Sequence, residues 1–159
     1  MIRELSYHEA GHPVAHRLLH SEFRFVALER DSAGWQTYAS DTQQPPMDPQ
    51  ERETQMIVAL AGDVAGALFG YTTASPFCAQ RADELVAHLD PYEADAYIAT
   101  TKRKTHKLLD TPQRRGAIGA LGDHFFRQAP RPEDHRPRCR IPSTEIVAVI
   151  DEALNRDSP

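Results

Sequence analysis

Tyr7-His8-Glu9-Ala10-Gly11-His12 lies close to the N-terminus and contains the pattern His-Glu-x-x-His. That pattern is the sequence form of a two-histidine metal site on a helix. At 3.6 residues per turn, positions four apart share a helix face, so His8 and His12 can aim their imidazoles at one ion. Glu9 falls on the neighbouring flank, within reach of water at the metal without being a ligand. Zinc in catalytic sites commonly takes three protein ligands and leaves one position open. It lowers the pKa of bound water from 15.7 to about 7, and a carboxylate beside it can act as general base. The bland alternative is an ordinary helix with two histidines on one side, and a pentapeptide alone does not separate the two.

The elements that must position these residues are readable in outline. Residues 2–20 read as a helix with Leu5, Val14, Leu18 and Leu19 on its apolar side. Pro13 interrupts it on paper, since it removes a backbone donor and crowds the carbonyl of Glu9; a bend just after His12 is expected. His16 and His20 continue the spacing of four, but each step drifts about 40°, which makes them surface or outer residues rather than ligands. Residues 23–30 and 35–40 alternate and read as two strands joined by a turn at 31–34. A proline-rich connection covers 43–49. Residues 49–69 form a helix with Met56, Ile57, Leu60, Val64 and Leu68 inward and a small face at Ala61-Gly62 and Ala65-Gly66; Gly70 ends it. Residues 72–80 read as a loop and 82–89 as a short helix. Further helices are expected at 91–109, 112–126 and from Pro142 onward, with an arginine- and proline-rich loop over 127–140 that is solvated or, less simply, faces an acidic partner.

Composition bounds the function. At 159 residues with 40% hydrophobic and 26% charged content, the chain is long enough for one globular domain. A formal net charge of −5 argues against general nucleic-acid binding. No run of about 18 apolar residues suggests a membrane span, and no signal-peptide core is visible. Cys78 and Cys139 are the only cysteines; they make neither a metal knuckle nor a disulfide framework, so a reducing cytoplasm is the expected location.

Taken together, several stretches resemble the peptidase domain of the FtsH family of zinc proteases. Tyr7 to His12 resembles its metal-binding helix, and the strands up to Ser40, with Gly34-Trp35 and Thr37, resemble its strand pair. The run Leu60-Ala61-Gly62-Asp63-Val64-Ala65-Gly66-Ala67-Leu68-Phe69-Gly70 resembles its second helix, and Thr72-Thr73 the loop after it. The likeness covers about residues 7–89. It implies a zincin-like fold, zinc as cofactor, and a downstream Asp that opens a helix, with Ala four residues on, as third ligand. Asp83 with Ala87 fits that description. Cys78 competes, because a count without a gap puts it at the Asp position, and thiolate is a good zinc donor. Asp83 is favoured for its helical context; Glu51, Glu53 and Asp63 are weaker candidates. The third histidine of metzincins is absent, with Leu18 in its place. The family usually has Ala at Pro13 and Glu at Gly66. No nucleotide-binding glycine loop occurs, so the chain resembles a stand-alone peptidase-like domain.

The expectation is a single α+β domain, mostly helical, with a small N-terminal sheet packed on a helical bundle. Residues 1–20 supply the metal-binding helix, 23–40 the sheet, 49–89 core helices carrying the third ligand, and 91–156 the C-terminal helices. The expected function is a zinc-dependent, ATP-independent endopeptidase acting on peptide or protein, with His8, His12 and Asp83 on the metal and Glu9 as base. The alternatives are a zinc-containing but inactive interaction module, or a regulatory protease with one partner. Neither nucleic acid nor membrane is expected as a partner, and the oligomeric state is left open.

Overall fold

The computed structural model describes residues 2–31, 34–40, 48–72, 75–131 and 138–156. Six helices and three strands follow in the order α1 (Ile2–Leu18), β1 (Phe25–Asp31), β2 (Gly34–Ser40), α2 (Pro49–Leu68), α3 (Pro76–Val86), α4 (Pro91–Leu109), α5 (Pro112–Gln128), β3 (Arg138–Pro142) and α6 (Ser143–Asn155). The described chain is mostly helical with one small antiparallel sheet, an α+β arrangement. None of its helices is long and apolar enough to cross a membrane.

Helix starts follow local chemistry. Asp48, Asp90 and Thr111 each cap a helix through the side chain, and each is followed by proline at the first helical position. Proline there costs nothing, because its missing donor would have had no helical acceptor. At the end of α2, Gly70 adopts φ +80°. The Gly70 amide donates to Ala67 and the Tyr71 amide to Gly66, the paired bonds that close a helix around a left-handed glycine.

The central element is α2, buried on two faces. One face, with Val58, Ala61, Val64 and Ala65, joins the main core. The other, with Met56, Ala59 and Leu60, packs on Ala82, Leu85 and Val86 of α3. Against the first face lies α1, whose far side carries Tyr7 onto α5. The Tyr7 hydroxyl donates to Asp123 at 2.9 Å, and a Cβ on Gly122 would come within 3.0 Å of the Tyr7 ring. Helix α1 runs unbroken through Pro13 to Leu18. Burial of Ala10, Val14 and Ala15 offsets the donor that proline removes. His16, expected at the surface or outside the site, is buried with Nδ1 2.8 Å from Ser21 Oγ. Burial, helped by the His12 charge, lowers its pKa to about 4. His20 is exposed, with φ 54°.

The sheet order is β2-β1-β3. β3 departs from the expected loop over 127–140. Arg138-Cys139-Arg140-Ile141 alternates polar and apolar, placing Ile141 in the core with Val26 and Leu28. The two arginines serve the outer face: Arg138 pairs with Glu29, and the Arg140 guanidinium sits 4.5 Å from the Phe25 ring centre. The rest of that segment lies mainly outside the described residues, as do most of the 43–49 connection and Thr73. The other shift is in α3, which begins at Pro76 rather than at residue 82.

α1 and α2 approach closely at Gly11. A Cβ added to Gly11 would overlap the Ala61 carbonyl and lie 2.6 Å from Ala65 Cβ. Alanine normally favours a helix over glycine by about 0.5–1 kcal/mol. Gly11→Ala is expected to reverse that sign and destabilise by about 1–3 kcal/mol, the cost of overpacking. Gly116→Ala on α5, where nothing lies within 4 Å, is expected to stabilise. Urea denaturation of both variants checks the pair; a stabilising Gly11→Ala would contradict the close approach.

Candidate metal centre

Three elements meet at one point. α1 supplies His8, Glu9 and His12, α2 supplies the wall they lean on, and α3 supplies Cys78. Nε2 of His8 lies 3.4 Å from Cys78 Sγ, and Nε2 of His12 lies 3.7 Å from it. The ligand atoms of the three residues all fall within 4.8 Å of one another. His8 is 1% exposed and Cys78 7%.

The imidazoles approach α2 where it has no side chain. A Cβ on Gly62 would stand 2.5 Å from Nε2 of both His8 and His12. Gly62 is therefore part of the site's wall, and any larger residue would occupy the space the two nitrogens need. On the far side of the rings, His12 Nδ1 donates to the Val58 carbonyl at 2.7 Å. This bond directs the Nε2 lone pair inward when the ring is neutral. His8 Nδ1 lies 3.4 Å from Asp63 Oδ1.

Cys78 is the third residue of α3. Ser75 precedes the helix, and its amide donates to Asp63 Oδ1 at 3.2 Å, anchoring the start of α3 to α2. Pro76 then fixes the first helical position. Cys78, Ala82, Leu85 and Val86 make the buried stripe of α3. A cysteine in the first turn also meets the positive end of the helix dipole, which favours thiolate. Burial works to raise the Cys78 pKa, but hydrogen bonds from His12 and His8, with their charges, outweigh it and hold the thiol below its usual range. For His12, burial works downward, while the Cys78 hydrogen bond and charge, Glu9 and the Val58 carbonyl together raise it. Each shift has the other residue among its causes, so the two titrate as a coupled pair.

Asp83, the favoured third ligand from the sequence, stands elsewhere. It follows Cys78 by five residues on one helix, a rotation of about 140° and an advance of about 7.5 Å, and its side chain is exposed. Among the described residues only His8, His12 and Cys78 gather as a metal-holding group. A helix beginning at Pro76 gives Cys78 the helical context that a loop over 72–80 denied it. The Ser75-Pro76 pair is a recognisable start signal. Glu9 is 5% exposed, with Oε1 3.8 Å from His8 Nε2. Gly62 and the Val58 carbonyl carry no sequence signal of their own; glycine at 62 reads as ordinary close packing. Asp63 Oδ1 lies 3.4 Å from His8 Nδ1, the ring nitrogen turned away from Cys78, and Asp63 is not part of the metal-holding group. Glu51 and Glu53, near the start of α2, belong to no metal-holding group among the described residues; Glu53 pairs instead with Lys104 of α4.

No protein-family model and no curated protein matches the chain.

The geometry predicts which substitution costs metal. Four-ligand zinc sites bind with about 10–16 kcal/mol, so one ligand carries on the order of 3 kcal/mol. Cys78→Ser is expected to weaken zinc binding about 100-fold or more, and Asp83→Asn to leave it unchanged, in a competition titration at neutral pH. Retained affinity in Cys78→Ser with loss in Asp83→Asn would contradict the assignment.

Proposed function

We propose that the chain is a zinc-dependent metallopeptidase of FtsH-like, zincin type, with His8, His12 and Cys78 holding the metal and Glu9 acting as general base. The observation that carries this reading is the convergence of two imidazole Nε2 atoms and one thiol on a single point. With zinc bonds of about 2.05 Å to nitrogen and 2.3 Å to sulfur at tetrahedral angles, the N···S edge is about 3.6 Å. The edges here are 3.4 and 3.7 Å. The donor set of two imidazoles and one thiolate also suits zinc over the oxygen-seeking cations. Thiolate carries the same single negative charge as the carboxylate of the FtsH pattern, so the substitution leaves the charge of the ligand set unchanged.

Electrostatics point the same way. A buried carboxylate and a thiolate in one site are costly unless cations accompany them. A divalent ion supplies that compensation. When bound, zinc offers Lewis acidity toward a peptide carbonyl and toward water. Glu9 then takes the proton of the attacking water and returns it to the leaving amine. β2 is an edge strand packed beside α1. A peptide added along it would lie next to the helix that carries Glu9, as in strand-addition recognition. None of these residues requires a nucleotide.

One observation favours a second reading, a metal-containing interaction module: His8 and Cys78 are almost wholly enclosed, as ligands of closed structural sites are. Glu9→Gln separates the two. The amide keeps the shape but cannot take a proton, so zinc content is expected to stay at one per chain while hydrolysis of an unfolded protein falls about 10²–10⁴-fold. Equal cleavage by Glu9→Gln and the parent would contradict the peptidase mechanism; zinc retained with no cleavage by the parent would favour the interaction module.

A further inference from the structure

His8 Nδ1 is buried and makes no hydrogen bond among the described residues. An imidazole that ligates through Nε2 needs its remaining proton on Nδ1, and such protons are normally taken up by a carboxylate, a carbonyl or water. His12 has that partner in the Val58 carbonyl. For His8 the group in place is Asp63, with Oδ1 3.4 Å away. The other side of the ring is contested: Glu9 Oε1 lies 3.8 Å and Cys78 Sγ 3.4 Å from His8 Nε2. Both can draw the proton to Nε2, which is the wrong tautomer for ligation. A negative charge on the Nδ1 side opposes them.

The same Asp63 oxygen accepts the Ser75 amide at 3.2 Å. Ser75 is the last residue before α3, and Cys78 follows three positions later. One carboxylate, 21% exposed, therefore touches the helix-borne ligand on one side and the start of the thiolate-bearing helix on the other.

We propose that Asp63 is the positioning residue of this centre: it sets the His8 tautomer through Nδ1 and places Cys78 through the Ser75 amide. The proposal rests on the reading of His8, His12 and Cys78 as metal ligands. It ascribes to Asp63 two separable effects, because asparagine at 63 keeps an oxygen for the Ser75 amide but lacks the charge, whereas alanine lacks both.

The test uses Co(II) as probe, titrated into the parent, Asp63→Asn and Asp63→Ala, and followed by the thiolate-to-cobalt charge-transfer band. The parent is expected to show the band. Asp63→Ala is expected to bind cobalt about 10–100-fold more weakly, with the band reduced per bound ion because Cys78 is displaced. Asp63→Asn is expected to restore the band per bound ion while its affinity stays below the parent's. A merely structural Asp63 would lower the melting temperature of the metal-free variants and leave affinity and band unchanged. Parent-like affinity and band in both variants would overturn the role of Asp63 alone. Absence of the band in the parent itself would overturn it together with the metal-site reading beneath it.

Discussion

The backbone-to-backbone approach of α1 and α2 is the constraint on which the rest of the molecule depends. Gly11 and the Ala61–Ala65 ridge let the two helices touch without intervening side chains. At the next residue of α2, the same closeness brings the rings of His8 and His12 against Gly62. The two imidazoles fit there because the partner helix offers no Cβ at residue 62. Small residues in this pair of helices thus serve packing and chemistry at once. A larger residue at 62 would act on the imidazoles directly, whereas one at Gly11 would act on them by moving α1.

Around that contact the site is built as a charged pocket in a low-dielectric interior. Glu9, the Cys78 thiol and the His8 imidazole are buried, and the His12 imidazole is half-buried. Interior charge is tolerated only when paired. Cys78 and His12 face each other, and their pKa values move in opposite directions, the thiol down and the imidazole up. A dication held by these three residues would take the place of a proton, so its uptake would release one. The Val58 carbonyl and Asp63 lie behind the rings, on the nitrogens that face away from the centre. α2 thus backs both rings, while α1 and α3 contribute the three side chains that could hold a metal.

Much of this was legible in the residues. The spacing of His8 and His12 is imposed by the helical period, and α2, α4 and α5 announce themselves by apolar periodicity with Asp-Pro or Thr-Pro starts. Gly70 fell where a left-handed residue closes a helix. What escaped were short elements whose pattern is weak against its surroundings. Four residues of alternation in β3 are swamped by the arginines and prolines before them. The first turn of α3 hides behind Thr-rich and Pro-containing sequence, although Ser75-Pro76 marks it. That single boundary decides which residue faces His8 and His12, because moving a helix start from residue 82 to residue 76 puts Cys78 inward and leaves Asp83 exposed. The contacts of Gly62 and Asp63 are long-range and have no local signature. A site assembled from three helices is fixed by their packing, which no window of sequence contains.

The claim that most needs measurement is the identity of the donors. X-ray absorption at the zinc edge of the metal-loaded protein reads it without substitution. The account predicts one sulfur at about 2.3 Å together with two imidazole nitrogens at about 2.0–2.1 Å. A shell of nitrogen and oxygen alone, with no sulfur scatterer, would contradict it.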